Sequence, residues 1–216
     1  MAVISIFLTN LGKYNEGDLV GEWVALPTTK ENLSQVMKRI GIGSKDEFGQ
    51  PYEEWFISDY DCDISDLAKG LGEHENLNEL NYLAAKIEDL CEFEKETFEA
   101  VMEYDCGAGI VSAAEIINII ENLDCFILYP NVDDDYDLGC YWIEESGCYD
   151  LDKLGNLRNY IDYEAFGRDY SFETEGGFVG SGFLEVIDST TTVYDGPDDI
   201  PDEYIILGNN EADEEE

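Results

Sequence analysis

The residues with most chemistry to offer are acids. Asp133-x-Asp135-x-Asp137, with Glu144 at the twelfth position, has the carboxylate spacing of a calcium-binding loop. Such a loop needs Gly at its sixth position for a sharp turn. That position is Leu138, and the glycine comes one place later, at Gly139. The favoured reading is a helix start, where aspartates offset the positive end of the backbone dipole. Glu92, Glu96, Glu99 and Glu103 fall at i,i+4 and i,i+3 spacing, one face of a helix. Paired carboxylates can hydrolyse glycosides, but 51 acids make so many pairs that none stands out. The single histidine, His74, lies in Gly-Glu-His-Glu-Asn and reads as an exposed bystander. No G-x-S-x-G, phosphate loop or G-x-G-x-x-G occurs. The six cysteines, Cys62, Cys91, Cys106, Cys125, Cys140 and Cys148, include no C-x-x-C pair and make no zinc set with one His. The expectation is no enzyme, no metal and no cofactor, with reduced, partly buried thiols in the cytoplasm.

Those acids belong to a chain of 216 residues with 51 Asp and Glu against 11 Lys and Arg, a net charge of −40. Direct nucleic-acid binding is excluded in practice, because phosphate contacts need clustered bases. An anionic membrane surface is excluded for the same reason. No run reaches the roughly 18 apolar residues of a membrane-spanning helix, and Met1 to Leu8 reads as a first strand rather than a signal peptide. High charge with low hydrophobicity gives disorder, but 44% hydrophobic and 12% aromatic residues are enough for a core.

The elements that must position the acids fall into four blocks. Residues 1–62 carry net charge −5 and read as a β-sheet plus helix domain. Its strands are Val3 to Leu8, Leu19 to Leu26 and Trp55 to Tyr60, with a hairpin loop over Asn10 to Gly17 and a helix over Lys30 to Ile40. Residues 63–125, net −13, read as an all-helical acidic domain. Asn76 caps a stripe of Leu77, Leu80, Leu83, Ile87 and Leu90, with Glu79 placed to complete a capping box. Phe93, Phe98, Val101 and Met102 extend the pattern, and Ser112 to Glu115 opens a helix with Ile116, Ile119, Ile120 and Leu123 inward. Residues 126–188, net −12, read as an α+β domain. It has a strand at Phe126 to Tyr129, helices over Asp137 to Glu145 and Leu157 to Tyr163, and a hairpin over Gly177 to Ile187. Residues 189–216 hold ten acids and no base and read as a flexible tail, with Tyr204 to Leu207 a candidate edge strand.

Solubility needs a net charge of only about 2 to 8 on a small domain. Like charges at helical spacing each cost a helix roughly 0.2–0.5 kcal/mol. Repulsion kept in successive blocks implies a use for the field, and imitation of DNA fits. By the charge spacing of B-DNA, 40 charges correspond to roughly 20 base pairs, or about 70 Å of duplex. The partner is then a basic DNA-binding groove.

Three stretches add a resemblance. Thr9-Asn10-Leu11-Gly12-Lys13-Tyr14-Asn15-Glu16-Gly17-Asp18-Leu19-Val20-Gly21-Glu22-Trp23 looks like the opening of the ArdA family of antirestriction proteins. Tyr141-Trp142-Ile143-Glu144-Glu145-Ser146-Gly147 resembles that family's antirestriction segment, and Asn159 to Asp169 its C-terminal signature. The likeness spans roughly residues 3 to 187. It implies an elongated chain of three small domains, with mixed α/β ends and an all-helical middle. It also implies a dimer formed through the C-terminal domain, carriage on a mobile element, and blockade of the DNA groove of Type I restriction–modification enzymes. Carried to this chain, the mimic surface comprises Glu92, Glu96, Glu99 and Glu103 with Asp133, Asp134, Asp135, Asp137, Glu144 and Glu145. Tyr141 and Trp142 are the candidate dimer contacts, with core packing preferred for at least one. Lys13, Tyr14 and Asn15 are read as structural turn residues. The rival readings are a mimic aimed at a CRISPR effector, a nucleoid protein or a Type III enzyme, an acidic calcium-binding protein, and a hydrolase using paired carboxylates.

Overall fold

The computed structural model describes residues 2–64, 66–105 and 112–208. Cys106 and the terminal acids Asp213 to Glu216 lie outside them. In chain order the elements are β1 (Ile4–Asn10), α1 (Leu11–Asn15), β2 (Gly21–Leu26), α2 (Lys30–Arg39), β3 (Trp55–Cys62), α3 (Leu77–Asp89), α4 (Glu92–Asp105), α5 (Ala113–Glu121), β4 (Phe126–Pro130), α6 (Asp135–Cys140), α7 (Tyr163–Glu173), β5 (Gly176–Val179) and β6 (Gly182–Val186). This is a mixed α/β architecture of separate helical and strand-bearing regions. Contacts divide it into two compact units. The first holds Met1–Leu90, Ile110–Asn118 and Thr192–Glu216; the second holds Cys91–Gly109 and Ile119–Thr191. In this division α3 goes with the N-terminal strands and α4 with the C-terminal ones.

In the first unit an antiparallel sheet has the order β2-β1-β3. Alternation puts Ile4, Ile6 and Leu8 of β1, with Val24 and Leu26 of β2, in the core beside Leu33, Val36 and Ile40. On the other face Phe7 meets its cross-strand partner Trp23 edge-on, ring centroids 5.3 Å apart. The segment read as a hairpin loop is instead the short helix α1. Buried Asn10 caps it, accepting from the Lys13 N–H at 3.0 Å and donating to the Ile40 carbonyl at 3.1 Å. Asn76 caps α3 as expected, accepting from the N–H groups of Asn78 and Glu79. Glu79 does not close the box. Its carboxylate accepts from the Tyr194 hydroxyl at 2.9 Å, and burial pushes its pKa up.

That bond belongs to the largest departure from the sequence reading. The described part of the acidic tail is a packed strap. Tyr194, Ile200 and Ile206, six residues apart, are buried. Asparagine amides hold the backbone between them. Asn118 accepts from the N–H groups of Val193 and Tyr194 and donates to the Tyr194 carbonyl, all at 2.8–2.9 Å. Asn78 accepts from Ile206 and Leu207 N–H and donates to the Leu207 carbonyl. Asn81 donates to the Tyr204 carbonyl at 3.1 Å. One amide carries an acceptor and a donor, so it pairs a peptide group as a neighbouring strand would. The candidate edge strand is absent. Asp202–Tyr204 is a 3-10 turn, and Ile205 to Leu207 follow without strand pairing.

In the second unit an antiparallel sheet has the order β4-β6-β5. Ala100 and Val101 of α4 pack on it with Cys125, Phe126, Leu128, Val179 and Leu184. Phe93, read as part of the same stripe, is 61% exposed. The helix expected from Asp137 to Glu145 starts two residues earlier as α6 and runs on as a π-helical turn, Tyr141–Glu145. The helix expected over Leu157 to Tyr163 is not there. Leu151–Tyr160 is a 3-10 segment broken at Gly155 (φ 53°), and α7 begins where the expected helix would end. Asp162 caps α7, accepting from the Ala165 N–H.

Glycines join α6 to α7. A Cβ on Gly139 would overlap the Tyr163 carbonyl, and one on Gly167 the Asp135 carbonyl. The two backbones touch, which only glycine permits at both positions. Gly167→Ala therefore sets two effects against each other. Helix propensity alone gives a gain of about 1 kcal/mol. Forcing the backbones apart costs about 3 kcal/mol or more, the upper end of overpacking. We expect a net loss in urea unfolding; unchanged or raised stability would show that this contact is dispensable.

Candidate functional site

The acids gather on two elements of the second unit. The first is α4. At its N-terminus Glu94 reaches back and accepts from the Cys91 N–H at 2.8 Å, which holds the Glu94 carboxyl below the usual range. Glu92 and Glu94 in the first turn also offset the helix dipole. Phe98, Val101 and Met102 are fully buried and fix the helix's rotation. The opposite face carries Glu92, Glu96, Glu99 and Glu103, all exposed as the spacing predicts. Partial burial raises the Glu99 pKa, and the charges of Glu96 and Glu92 raise it further. Glu103 is spoken for. Both its oxygens accept from the Gly180 N–H, at 2.9 and 3.0 Å, and so close the turn between β5 and β6.

The second element is α6 with its π-helical continuation. Asp134 caps α6, accepting from the Asp137 N–H at 2.9 Å, and Asp137 accepts in return from the Asp133 N–H at 3.4 Å. Asp135 accepts from the Ser171 hydroxyl. The segment with calcium-loop spacing is therefore a capped helix, and Gly139 serves helix packing rather than a ligand turn. Among the described residues no three His, Cys, Asp or Glu side chains come together as a metal set. Glu144 and Glu145 are exposed at the far end. The Tyr163 hydroxyl and Arg158, its Nη2 3.0 Å away, both bind Glu144 and hold its carboxyl low. Sequence reasoning missed both partners, although Arg158 is one of only three bases in residues 126–188.

Tyr141 and Trp142 are half-buried in an aromatic cluster. Tyr141 lies 4.9 Å from Tyr129 and Trp142 lies 4.6 Å from Tyr170, between ring centroids. Tyr129 and Tyr170 donate to the two oxygens of Glu185, at 2.7 and 3.0 Å, and burial raises both phenol pKa values. The cluster gives both residues a packing role within one copy.

The first unit adds acids that sequence reasoning left in a tail. Asp195, Asp198, Asp199, Asp202 and Glu203 are all exposed on the strap. His74 is exposed, as expected. Cys62, Cys91, Cys125, Cys140 and Cys148 are free thiols. Burial, with help from Asp61 and Asp63, pushes the Cys62 thiol up to about 11, away from nucleophilic use.

The arrangement offers exposed carboxylates on rigid elements. The family profile described as Antirestriction protein (ArdA) matches residues 6–185. No curated protein matches the chain. The strap lies beyond the matched span.

The α4 face carries its own test. A raised carboxyl pKa means that the ionised form is the disfavoured one in the folded state. The cost is absent below the unfolded pKa and appears as pH rises through the folded one. Glu99→Gln should therefore stabilise the protein at pH 7 by roughly 0.2–0.5 kcal/mol, the size of one like-charge helical pair. Urea unfolding should show the gain vanish near pH 3 and shrink in high salt. No gain at pH 7 in low salt would mean that the repulsion is screened out.

Proposed function

The chain belongs to the ArdA family of antirestriction proteins, and on that premise we propose that it protects DNA by standing in for it. Its target is the DNA-binding groove of a Type I restriction–modification enzyme, at the methyltransferase core. It acts as a homodimer in the cytoplasm and needs no metal, cofactor or bond-making step. The observation that carries this reading is the α4 face. Glu92, Glu96 and Glu99 are presented outward together while Phe98, Val101 and Met102 prevent the helix from turning them away. Asp133, Asp134, Asp135, Asp137, Glu144 and Glu145 add a second charged element. Glu103 contributes charge while holding a turn.

The mechanism is competition for bases. A DNA-binding groove releases counterions when it accepts phosphates. Carboxylates fixed on a folded scaffold drive the same release. No base-edge contact is needed, because backbone contacts supply the sequence-independent affinity. The field of a −40 chain also speeds encounter with a basic groove.

The test is displacement. The chain is titrated into a purified Type I methyltransferase core bound to labelled cognate DNA, at about 0.05 M and 0.2 M salt. DNA should leave near one dimer per enzyme, with apparent affinity at least tenfold weaker at the higher salt. Glu92→Gln, Glu96→Gln and Glu99→Gln should weaken displacement slightly one at a time and additively together, since distributed charge has no essential member. Absent or salt-insensitive displacement would overturn the reading. Displacement from a nucleoid protein or CRISPR effector alone would move the target elsewhere.

A further inference from the structure

The first sheet has one buried face and one that meets solvent. Ile4, Ile6 and Leu8 point into the core, so Ser5 and Phe7 of β1 point the other way. Cross-strand register extends that outer face over all three strands. Trp23, Phe7 and Asp59 form one lateral row, and Ala25, Ser5 and Asp61 form the next. Trp23, Ala25, Asp59 and Asp61 are exposed, and Ser5 and Phe7 are half-buried. At the Thr9 end α1 covers the face, its Tyr14 lying edge-on against Phe56 with ring centroids 5.3 Å apart.

The solvated face of an antiparallel sheet ordinarily carries polar residues. This one sets an aromatic pair beside two acids. The Phe7 ring leans toward Gly21, where a Cβ would come within 2.6 Å of it. Gly21 lies opposite Thr9, so the ring leans away from Ser5. Ser5 and Ala25 are small and leave a shallow floor between the aromatic pair and the aspartates of β3. One oxygen of Asp59 accepts from the Tyr60 N–H at 2.9 Å, which steadies that carboxylate over the strand. The strands β1, β2 and β3 contain no Lys or Arg. Among the described residues neither Asp59 nor Asp61 takes part in an ion pair.

These features select what can bind. An apolar segment laid here would bury two carboxylates without partners, which is costly. The same face of a second copy would set aspartates against aspartates. Alternate residues of a strand stand about 7 Å apart, too far for Asp59 and Asp61 to share one metal ion. A guanidinium fits. Its plane stacks on an aromatic ring while its N–H edge pairs with a carboxylate. An ammonium is a strongly hydrated point charge and gains less from the ring.

We propose that this face binds an extended segment of a partner protein with arginines at alternate positions. The spacing of about 7 Å between Asp59 and Asp61 is also the repeat of alternate side chains along an extended chain. One guanidinium pairs with Asp59 and stacks on the Phe7–Trp23 pair. The next pairs with Asp61 above the Ser5–Ala25 floor. The inference goes beyond competition for a DNA groove, which draws on the acids of the second unit and on no aromatic ring. Stacking is not screened by salt as exposed charge is, so part of this contact persists where the competition fades.

The probe is an end-capped glycine peptide carrying two arginines one residue apart. Comparison peptides carry two lysines at the same places, or two adjacent arginines. Each is titrated into the isotope-labelled full chain at about 0.15 M and 0.5 M salt, and amide and indole signals are followed by NMR. Signals of Ser5, Phe7, Trp23, Ala25, Asp59 and Asp61 should shift together. At the higher salt the alternate-arginine peptide should bind at least threefold tighter than either comparison peptide. Trp23→Leu should weaken its binding at least fivefold and erase the preference over lysine. Asp59→Asn with Asp61→Asn should weaken it at least tenfold, and Glu92→Gln with Glu96→Gln should leave it unchanged. Far-ultraviolet circular dichroism matching the wild type shows each variant to be folded. Shifts scattered over the acids of both units, equal binding of arginine and lysine, or indifference to the aspartate variant would overturn the proposal. So would signals on this face that move with protein concentration alone, since a second copy would then cover it. DNA displacement plays no part in the readout, so failure here leaves the mimic reading standing, and failure there leaves this one.

Discussion

Each carboxylate on a folded surface raises the energy of the compact chain relative to the expanded one, because folding brings like charges together. This chain folds with 51 acids against 11 bases, so the rest of its structure works against that repulsion. Ion pairs cannot offset it; there are too few bases, and exposed pairs contribute about 0–1 kcal/mol each. What holds instead is burial and backbone pairing. The β1 and β2 cores are aliphatic, α4 is pinned by three fully buried side chains, and α6 and α7 are packed backbone to backbone. Many acids also serve as local caps. Asp134, Asp137 and Glu94 accept backbone N–H groups, so part of the charge helps to start helices.

The same constraint sorts the acids into two kinds. Glu103, Glu144, Glu79 and Glu185 are each held by specific donors, and their removal is a structural event. Glu92, Glu96 and Glu99 stand on a fixed helix face where they raise one another's cost. Stability gives no reason to keep that second kind. A partner with complementary charge does, since it converts stored repulsion into binding energy.

Much of the fold was legible in the sequence. Apolar and aromatic runs bounded by loop residues located β1, β2 and β3, and a period of 3.6 located α2 and α3, because both helices bury one face of large aliphatics. The exposed row on α4 followed from spacing alone. The failures share a cause. α7 buries only Gly167, so no apolar stripe announced it. α1 buries nothing and exists because Asn10 caps it. The strap hides three apolar anchors among acids at a spacing that belongs to neither helix nor strand. Its partners are asparagines, a residue type usually read as a turn signal. The bonds that occupy Glu103 and Glu144 come from Gly180 and Tyr163, distant in sequence and ordinary in type.

The strap also places a condition on synthesis. Asn78 pairs with Ile206 and Leu207 across about 129 residues of chain, and Glu79 waits for Tyr194. A nascent chain that has already made β1, β2, β3 and α3 still lacks the segment that covers and hydrogen-bonds α3. The first unit is thus begun when β1 is made and finished only once residue 207 has been made. Until then its asparagines must bind water, and its early-made helix stays open to other extended chains. Contacts so far apart in sequence form slowly, which makes the order of manufacture part of what determines whether the acidic scaffold is assembled.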